Sequence, residues 1–273
     1  MSDNEIIEYA KEIPDNIVNE AYQDGCKPVL KNTGDLVSLI PRTIRAVLQP
    51  LEKWVLKKEY NLAETEKLLQ QKLEKISLEQ IVSPEAHIAV PIIQYISYCI
   101  DNNELRNMYA NLLAKSMNSV VKNKVHPAFI EIIKQLCPDE AKIMKALYEK
   151  KVVATITVRI QKDNGEGVNI ISNFSNIGYI VKCEYPFWII KYFDNLIRLG
   201  LLNKASYSSK LTDEKLYKEL ENHKVIKDLI SSFILKKEEM SIKYIKSYMS
   251  ITDFGESFCS ICLDENINNV KTE

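Results

Sequence analysis

From residue 35 to residue 147 the apolar positions recur every three or four residues, the spacing that gathers them on one face of a helix. Leu36, Ile40, Ile44, Val47, Leu51, Trp54 and Val55 make the first face, with kinks or helix starts predicted at Pro41 and Pro50. Leu62, Leu69, Leu73 and Ile76 make the next, with Glu64, Lys67, Gln70 and Lys75 predicted to face outward. Ser77-Leu78-Glu79-Gln80 has capping-box spacing and predicts a short turn. Ser83-Pro84-Glu85 predicts a helix start, with Ser83 as the cap and Pro84 as the first helical residue. Behind it Ile88, Ile92, Ile96 and Cys99 are expected inside, with Pro91 as an interior defect. Asp101-Asn102-Asn103-Glu104 predicts another start, capped by Asp101. Its helix lines up Leu105, Met108, Tyr109, Leu112, Leu113 and Met117, while Ala110 and Ala114 leave room for a close neighbour. After a polar, basic stretch at 118–125, Pro127 opens a helix with Phe129, Ile130, Ile133 and Leu136. Pro138 opens the next, with Ile143, Ala146 and Leu147.

After Lys151 the period falls to two. Val152, Ala154, Ile156, Val158 and Ile160 alternate with Val153, Thr155, Thr157 and Arg159, the mark of a strand with one buried face. Residues 163–167 predict its turn and Val168 to Phe174 its hairpin partner. A helix from Pro186 should stop at Gly200, and a Lys- and Glu-rich helix should run from Thr212 to Leu235. Met240 to Ile251 reads as a strand, and Thr252-Asp253-Phe254-Gly255 turns into a last short helix. The phrase NLIRLGLL, followed later by SITDFGESF, resembles the recognition helix and wing turn of a winged-helix module. The expected fold is therefore mainly α with a minor β component. An acidic arm (1–29) precedes a helical bundle (30–136), a winged-helix-like α+β domain (138–263) and a tail (264–273).

Composition narrows the class. The chain has 273 residues, 46% hydrophobic and 27% charged, enough for a core without disulfides or metal. Only 7 Gly and 9 Pro favour helices over a turn-rich β fold. The net charge of −1 covers a gradient. Residues 1–24 hold seven acids against Lys11 alone, and residues 25–75 hold ten Lys or Arg against six acids. A nucleic-acid role would have to rest on a local patch, and the helix after Pro186 offers only Lys191 and Arg198 against Asp194. Six scattered cysteines read as free, mostly buried thiols of a reducing compartment. The acidic N-terminus lacks the apolar core of a secretory signal. Residues 34–51 contain Asp35, Arg42 and Arg45 and fall short of a spanning helix. The expected location is cytoplasmic. Residues 34–58 pair an apolar stripe with Arg42, Arg45, Lys53, Lys57 and Lys58. That segment is expected as a core helix, the alternative being a helix lying on the inner membrane surface.

The search for chemistry returns little. Cys259-Ser260-Ile261-Cys262 is a single CxxC, and His87, His126 and His223 are too dispersed to complete a zinc site, so core packing is expected. Phosphate loops, dinucleotide fingerprints and the nucleophile elbow are absent. Asp139 and Glu140, near Lys142, read as favourable acids in a first helical turn. His126 reads as a cap for the helix at Pro127 or as the end of a solvated loop. Lys122, Lys124 and His126 together form a candidate partner or anion surface. No catalytic residue, cofactor or metal is expected.

Three phrases are more distinctive than their helical roles require: Leu105 to Ala114 (LRNMYANLLA), Val125 to Leu136 (VHPAFIEIIKQL) and Pro138 to Ala141 (PDEA). With Pro84 to Tyr98, Asp194 to Leu201 and Ile251 to Gly255 they occur in the order seen in the Abi-alpha (abortive infection alpha) family of bacterial proteins, which this chain resembles over about residues 30–263. The resemblance implies a soluble, largely helical phage-defence protein through which an infected cell stops supporting phage growth. It brings no agreed catalytic residues. It leaves the molecular target open. The lack of a catalytic set beside the resemblance gives the expectation of action by binding, to a protein partner of host or phage origin, with a membrane surface or nucleic acid as the rivals.

Overall fold

The computed structural model describes residues 67–96, 98–99, 102–206, 209–234 and 240–266. The acidic arm, the helices expected between Leu36 and Leu62, and the basic segment 34–58 lie outside the described residues. The chain divides into two units, one of Met1–Leu136 with Ser260–Glu273, the other Cys137–Cys259.

Every named element in the first unit is helical. Helix α1 occupies residues 67–73, and a 3-10 turn follows at Leu78–Gln80. Then come α2 (Ala86–Ile96), α3 (Asn103–Ser116), a 3-10 turn at Lys122–Lys124, and α4 (Ala128–Lys134). Most of the positions read from spacing are buried: Leu69, Leu73 and Ile76; Ile88, Ile92 and Ile96; Met108, Tyr109, Leu112 and Leu113; Phe129, Ile130 and Ile133. Cys99, which lies beyond the end of α2, and Leu105, in the first turn of α3, are only half-buried. Ala110 and Ala114 are buried too, where α3 meets its neighbours. Two helix starts differ from expectation. Ser83 does not cap: its hydroxyl is buried without a hydrogen-bond partner. An isolated bridge between Ile81 and Asn118, with the Val82 amide donating to Met117 O at 2.8 Å, holds this stretch extended. Helix α2 therefore begins later, with the Glu85 carbonyl accepting from Ile88 and Ala89. On α3 the cap is Asn102, whose Oδ1 accepts the Leu105 amide at 3.2 Å. Asp101 lies outside the described residues.

The second unit is built around a four-stranded antiparallel sheet of order β2-β1-β4-β3. In chain order it runs α5 (Pro138–Lys150), β1 (Val152–Gln161), β2 (Gly167–Phe174), α6 (Ile177–Ile180), a 3-10 turn at Pro186–Trp188, α7 (Ile189–Arg198) and β3 (Leu202–Lys204). It continues with α8 (Glu214–Glu221), α9 (Lys224–Ile234), β4 (Ser241–Ile251) and α10 (Asp253–Cys262), whose last residues, from Ser260, belong to the first unit. The hairpin β1–β2 forms as the spacing predicts, and β1 pairs with β4 in one unbroken register from Val152↔Ser250 to Gln161↔Ser241. Ala154, Ile156, Val158 and Ile160 are buried. Thr155 departs from the alternation: it is also fully buried, opposite Ser247, so the sheet is covered on both faces there.

The single helix expected from Thr212 to Leu235 is two. His223 breaks it: its Nδ1 accepts the Val225 amide at the start of α9, and its ring packs against Phe174 and Tyr179 at 5.3 and 4.7 Å. Gly200 ends α7 in the left-handed conformation at φ 73°, where other residues are strained. Two phrases then clasp. Thr252 Oγ1 donates to Gly200 O at 2.6 Å and accepts the Gly255 amide at 2.8 Å, while the Thr252 amide donates to Leu201 O at 3.0 Å. A methyl group at Gly255 would run into the Leu201 carbonyl, so the close approach requires glycine.

Candidate functional site

The first turn of α5 gathers a buried side-chain network in the second unit. Asp139 is 4% exposed. Its Oδ1 accepts the Glu184 amide at 2.9 Å, and its Oδ2 accepts the Tyr185 amide at 3.1 Å and the Tyr192 hydroxyl at 2.9 Å. Lys142 adds an ion pair at 3.6 Å. Burial works to raise the Asp139 pKa, but the Tyr185 and Glu184 amides, the Tyr192 hydroxyl and Lys142 more than offset it, and the carboxyl sits below its ordinary value. Glu140 divides its two oxygens. Oε2 accepts the Cys137 amide at 2.8 Å, closing the helix start, and Oε1 accepts Asn195 Nδ2 on α7 at 2.8 Å. The two acids that read as helix-terminus charges therefore fasten the 183–195 segment to α5. Cys183 lies beside them with its thiol pushed up to about 12, by burial first and by the Asp139 charge next. A thiol that stays protonated is a poor nucleophile.

The first unit holds a counterpart of opposite sign. Lys115 on α3 is 1% exposed, and its Nζ donates to the carbonyls of Ser260 and, at 2.9 Å, Asp264. One turn earlier Asn111 Nδ2 donates to Cys262 O at 2.9 Å. This buried pair satisfies carbonyls that the end of α10 cannot pair within its own helix. Burial lowers the Lys115 pKa to about 8, partly countered by the Asp264 charge. Both networks are structural in chemistry: apart from Asn111 Oδ1, which is buried without a hydrogen-bond partner, their polar atoms are directed at protein backbone or a neighbouring side chain.

Lys122 and Lys124 share one exposed 3-10 turn. His126 follows, its Nδ1 accepting the Ala128 amide at 3.1 Å and its ring 5.9 Å from Phe129. Pro127 holds the cap position of α4, and the imidazole accepts the first helical amide from just outside the helix; with Nδ1 accepting, the proton of the neutral ring is assigned to Nε2. Cys259 and Cys262 are both fully buried, with Cys259 Sγ directed at Met144 O. Among the described residues no group of three His, Cys, Asp or Glu is placed to hold a metal ion. No described helix is long and apolar enough to cross a membrane.

The segment fastened by Asp139 carries the feature that sequence reading missed. Ile180, Tyr185, Phe187 and Trp188 are 54%, 48%, 47% and 45% exposed. The Tyr185 and Trp188 rings stack at 4.5 Å, and Lys191 Nζ lies 4.5 Å above the Trp188 ring. Folded chains seldom leave several large apolar side chains together in water, and such patches mark interaction surfaces. The signal was present in Tyr185-Pro186-Phe187-Trp188, three aromatics in four positions ahead of a helix whose buried face already had Ile189, Tyr192, Phe193 and Leu196.

Fold and patch define a mainly helical protein with one small antiparallel sheet and an exposed aromatic surface. Residues 57–262 match the family model for abortive infection alpha, and the chain belongs to that family. No curated protein sequence matches it. A solved structure of an uncharacterized protein from the hydrocarbon-degrading marine bacterium Alcanivorax borkumensis SK2 is similar at 18% identity. That match covers 49% of this chain and 90% of the other at a TM-score of 0.34, too slight a likeness to assign a fold.

Proposed function

We propose that this chain is a phage-defence protein that acts by binding a protein partner, of host or phage origin, rather than by catalysis. The observation that carries the reading is the exposed Tyr185–Trp188 stack, with Phe187 exposed between them in sequence and Ile180 exposed nearby in the chain. Trp and Tyr are the residues on which protein interfaces most often concentrate their binding energy. Lys182 and Lys191 flank the stack in the chain, so the complementary surface offers an apolar pocket rimmed by carboxylates. The Asp139 network holds the segment at both its Glu184 and Tyr185 amides, which limits the ordering cost of docking.

The finer architecture we infer is a winged-helix module elaborated at two points. Supporting it is the order α5, β1, α6, α7, β3, β4 with β4 between β1 and β3 in the sheet. Strand β2 is then an addition after β1, and α8 with α9 stands where a wing loop would be. A nucleic-acid role for this module is less favoured. The exposed face of α7 offers Lys191 and Arg198 against Asp194, and its entry is aromatic rather than basic.

The test is phage plating on bacteria carrying the gene, with the unmodified chain and with Phe187→Ser/Trp188→Ser. Protection by the first and its loss in the second, at equal abundance and thermal midpoint, is expected. A variant that protects as well as the unmodified chain removes the patch from the mechanism. Unchanged phage yield with the unmodified chain, across a broad panel, overturns the defence role. Patch-dependent sedimentation with anionic vesicles would replace the protein partner with a membrane surface.

A further inference from the structure

We propose that His223 is an acid-sensitive pin in the second unit: protonating its ring releases the start of α9 and exposes the apolar face of that helix. His223 stands at the cap position, where its carbonyl accepts the Ile226 and Lys227 amides at 3.0 and 3.1 Å. Its Nδ1 accepts the Val225 amide at 3.4 Å, so the side chain serves one of the first-turn amides that lack a partner within the helix. The ring also makes contacts beyond the helix. It packs, tilted, against Phe174 at the end of β2 and against Tyr179 on α6. One imidazole therefore serves cap and packing together, and the cap requires Nδ1 without a proton.

A proton on Nδ1 turns the acceptor into a donor facing the Val225 amide, itself a donor. The new charge would sit at the positive end of the α9 dipole, where the first turn already holds Lys224 and Lys227 and no acid. The groups facing the ring do little to offset it. Burial holds the Tyr179 hydroxyl above its ordinary pKa, so it stays neutral, and Phe174 carries no charge. On α8 the Glu221 carboxylate is taken up by Lys246 at 3.3 Å. The two aromatic rings attract an imidazolium, but they pull against the lost hydrogen bond, the dipole and the burial of the ring together. Burial lowers the His223 pKa, and no carboxylate raises it. The helix beyond is lightly held. Ile226 and Ile230 are buried, Val225 and Leu229 are half-buried, and Phe233 is exposed. Ser231 and Ser232 turn their hydroxyls back onto the Lys227 and Leu229 carbonyls, which weakens a helix. A helix of 11 residues released from its packing is marginal in water.

Because the folded pKa is depressed, the pin is whole above the unfolded value of about 6.5. As pH falls below that value the released helix takes up the proton first, so the closed form is lost progressively toward the lower folded value. Amide exchange of the full chain at about pH 7.5 and about pH 5.5 tests this. The readout is the protection factor of each amide from Val225 to Ile230, which corrects for the intrinsic pH dependence of exchange. Protection of those amides should fall at the lower pH while that of β1 and β4 holds. His223→Asn keeps a side-chain acceptor at the cap but has no proton to gain, and it should hold its α9 protection at both pH values. The other two histidines, His87 and His126, belong to the first unit, and His223→Asn separates their effect. Should that variant fold poorly, NMR titration of the His223 ring in the unmodified chain decides. A midpoint below the ordinary value supports the pin, and one at or above it overturns the proposal. Equal α9 protection of the unmodified chain at both pH values, or an equal fall in His223→Asn, also overturns it.

Discussion

Asp139 on α5 and Lys115 on α3 are both buried charges on helices, one in each unit, and their surroundings treat them differently. Asp139 collects two backbone amides, a phenol hydroxyl and Lys142, and its carboxyl is held below the usual range in spite of burial. Lys115 meets two neutral carbonyls, with some help from the Asp264 charge, and burial wins: its ammonium drops to about 8. The neighbouring groups repeat the contrast. Glu140 uses both oxygens. Asn111 uses its amide nitrogen, while its Oδ1 is buried without a partner. A buried charge stabilises when enough donors or acceptors replace its lost water, and it costs when they do not. The acid network should therefore be a strong fastening, and the lysine network a weaker one.

The largest effect is expected for Asp139→Ala. It strands the amides of Glu184 and Tyr185 and the Tyr192 hydroxyl, each previously bonded to a charged acceptor. Losing such a buried charged partner costs about 3–5 kcal/mol, read from urea midpoints. The same variant should loosen the 183–188 segment, seen as faster amide exchange at Glu184 and Tyr185. A loss below about 1 kcal/mol, the level of a surface contact, would show that Asp139 is a helix-terminus charge and nothing more.

This network marks where the sequence stops being legible. Spacing finds the buried faces of α2, α3 and α4, because burial of a helix stripe is written within ten residues. It also marks Asp139 and Glu140 as first-turn acids. Their true partners lie 45 to 55 residues later, and no local pattern announces such a pairing. The caps show the same boundary. Asp101 and Asn102 are both competent, and geometry rather than residue type favours Asn102. Ser83 and Pro84 form a good local start that the Ile81–Asn118 bridge overrides. Lys115 was readable in part: Met108, Asn111, Leu112 and Lys115 fall on one helical phase, so a polar pair on an inward face was visible before its partners were. The aromatic patch was written plainly as YPFW, but sequence cannot say which aromatics stay outside.

Next in size is the pH response, which separates the two charges at opposite ends of the scale. The folded Asp139 pKa is depressed, so its contribution is present above the unfolded value of about 3.9 and is lost as pH falls through the lower folded one. Asp139→Asn should flatten that acid limb. The folded pKa of Lys115 is also depressed, which for a lysine has the reverse consequence. Below about 8 it is charged in both states and burial penalises the fold. Above it the folded chain sheds the proton first, so stability rises until the unfolded lysine titrates as well. From pH 7.5 to 9.5 the gain of the unmodified chain over Lys115→Met should be about 2 kcal/mol. A flat difference curve would mean that Lys115 is solvated in the folded protein.

At pH 7 Lys115→Met should cost less than Asp139→Ala, about 1–2 kcal/mol. It leaves two carbonyls without their donor but also removes a charge that burial disfavours. Were it to cost more than Asp139→Ala, the contrast between the networks would be reversed. The lysine would then be the stronger fastening in spite of its lowered pKa.

The smallest expected effect is that of Glu140→Gln, and it isolates acceptor count from charge. A carboxamide keeps one oxygen and turns the other position into a donor. That donor would face either the Cys137 amide or Asn195 Nδ2, both donors themselves. Rotating the Asn195 amide could repair one clash, but its Oδ1 already accepts from Arg198 Nη2 and Nε at 2.6 and 3.1 Å, so the repair breaks those bonds. A loss of about 1 kcal/mol, the value of one hydrogen bond, is expected from the urea midpoint, and restoring it should require a second change. In Glu140→Gln/Asn195→Asp the new carboxylate accepts from the glutamine while keeping its bonds to Arg198. If that pair regains most of the loss, the acid network works by matching donors to acceptors. If Glu140→Gln alone is neutral, Glu140 acts through its charge at the start of α5, and the acid network is less tightly matched than Asp139 indicates.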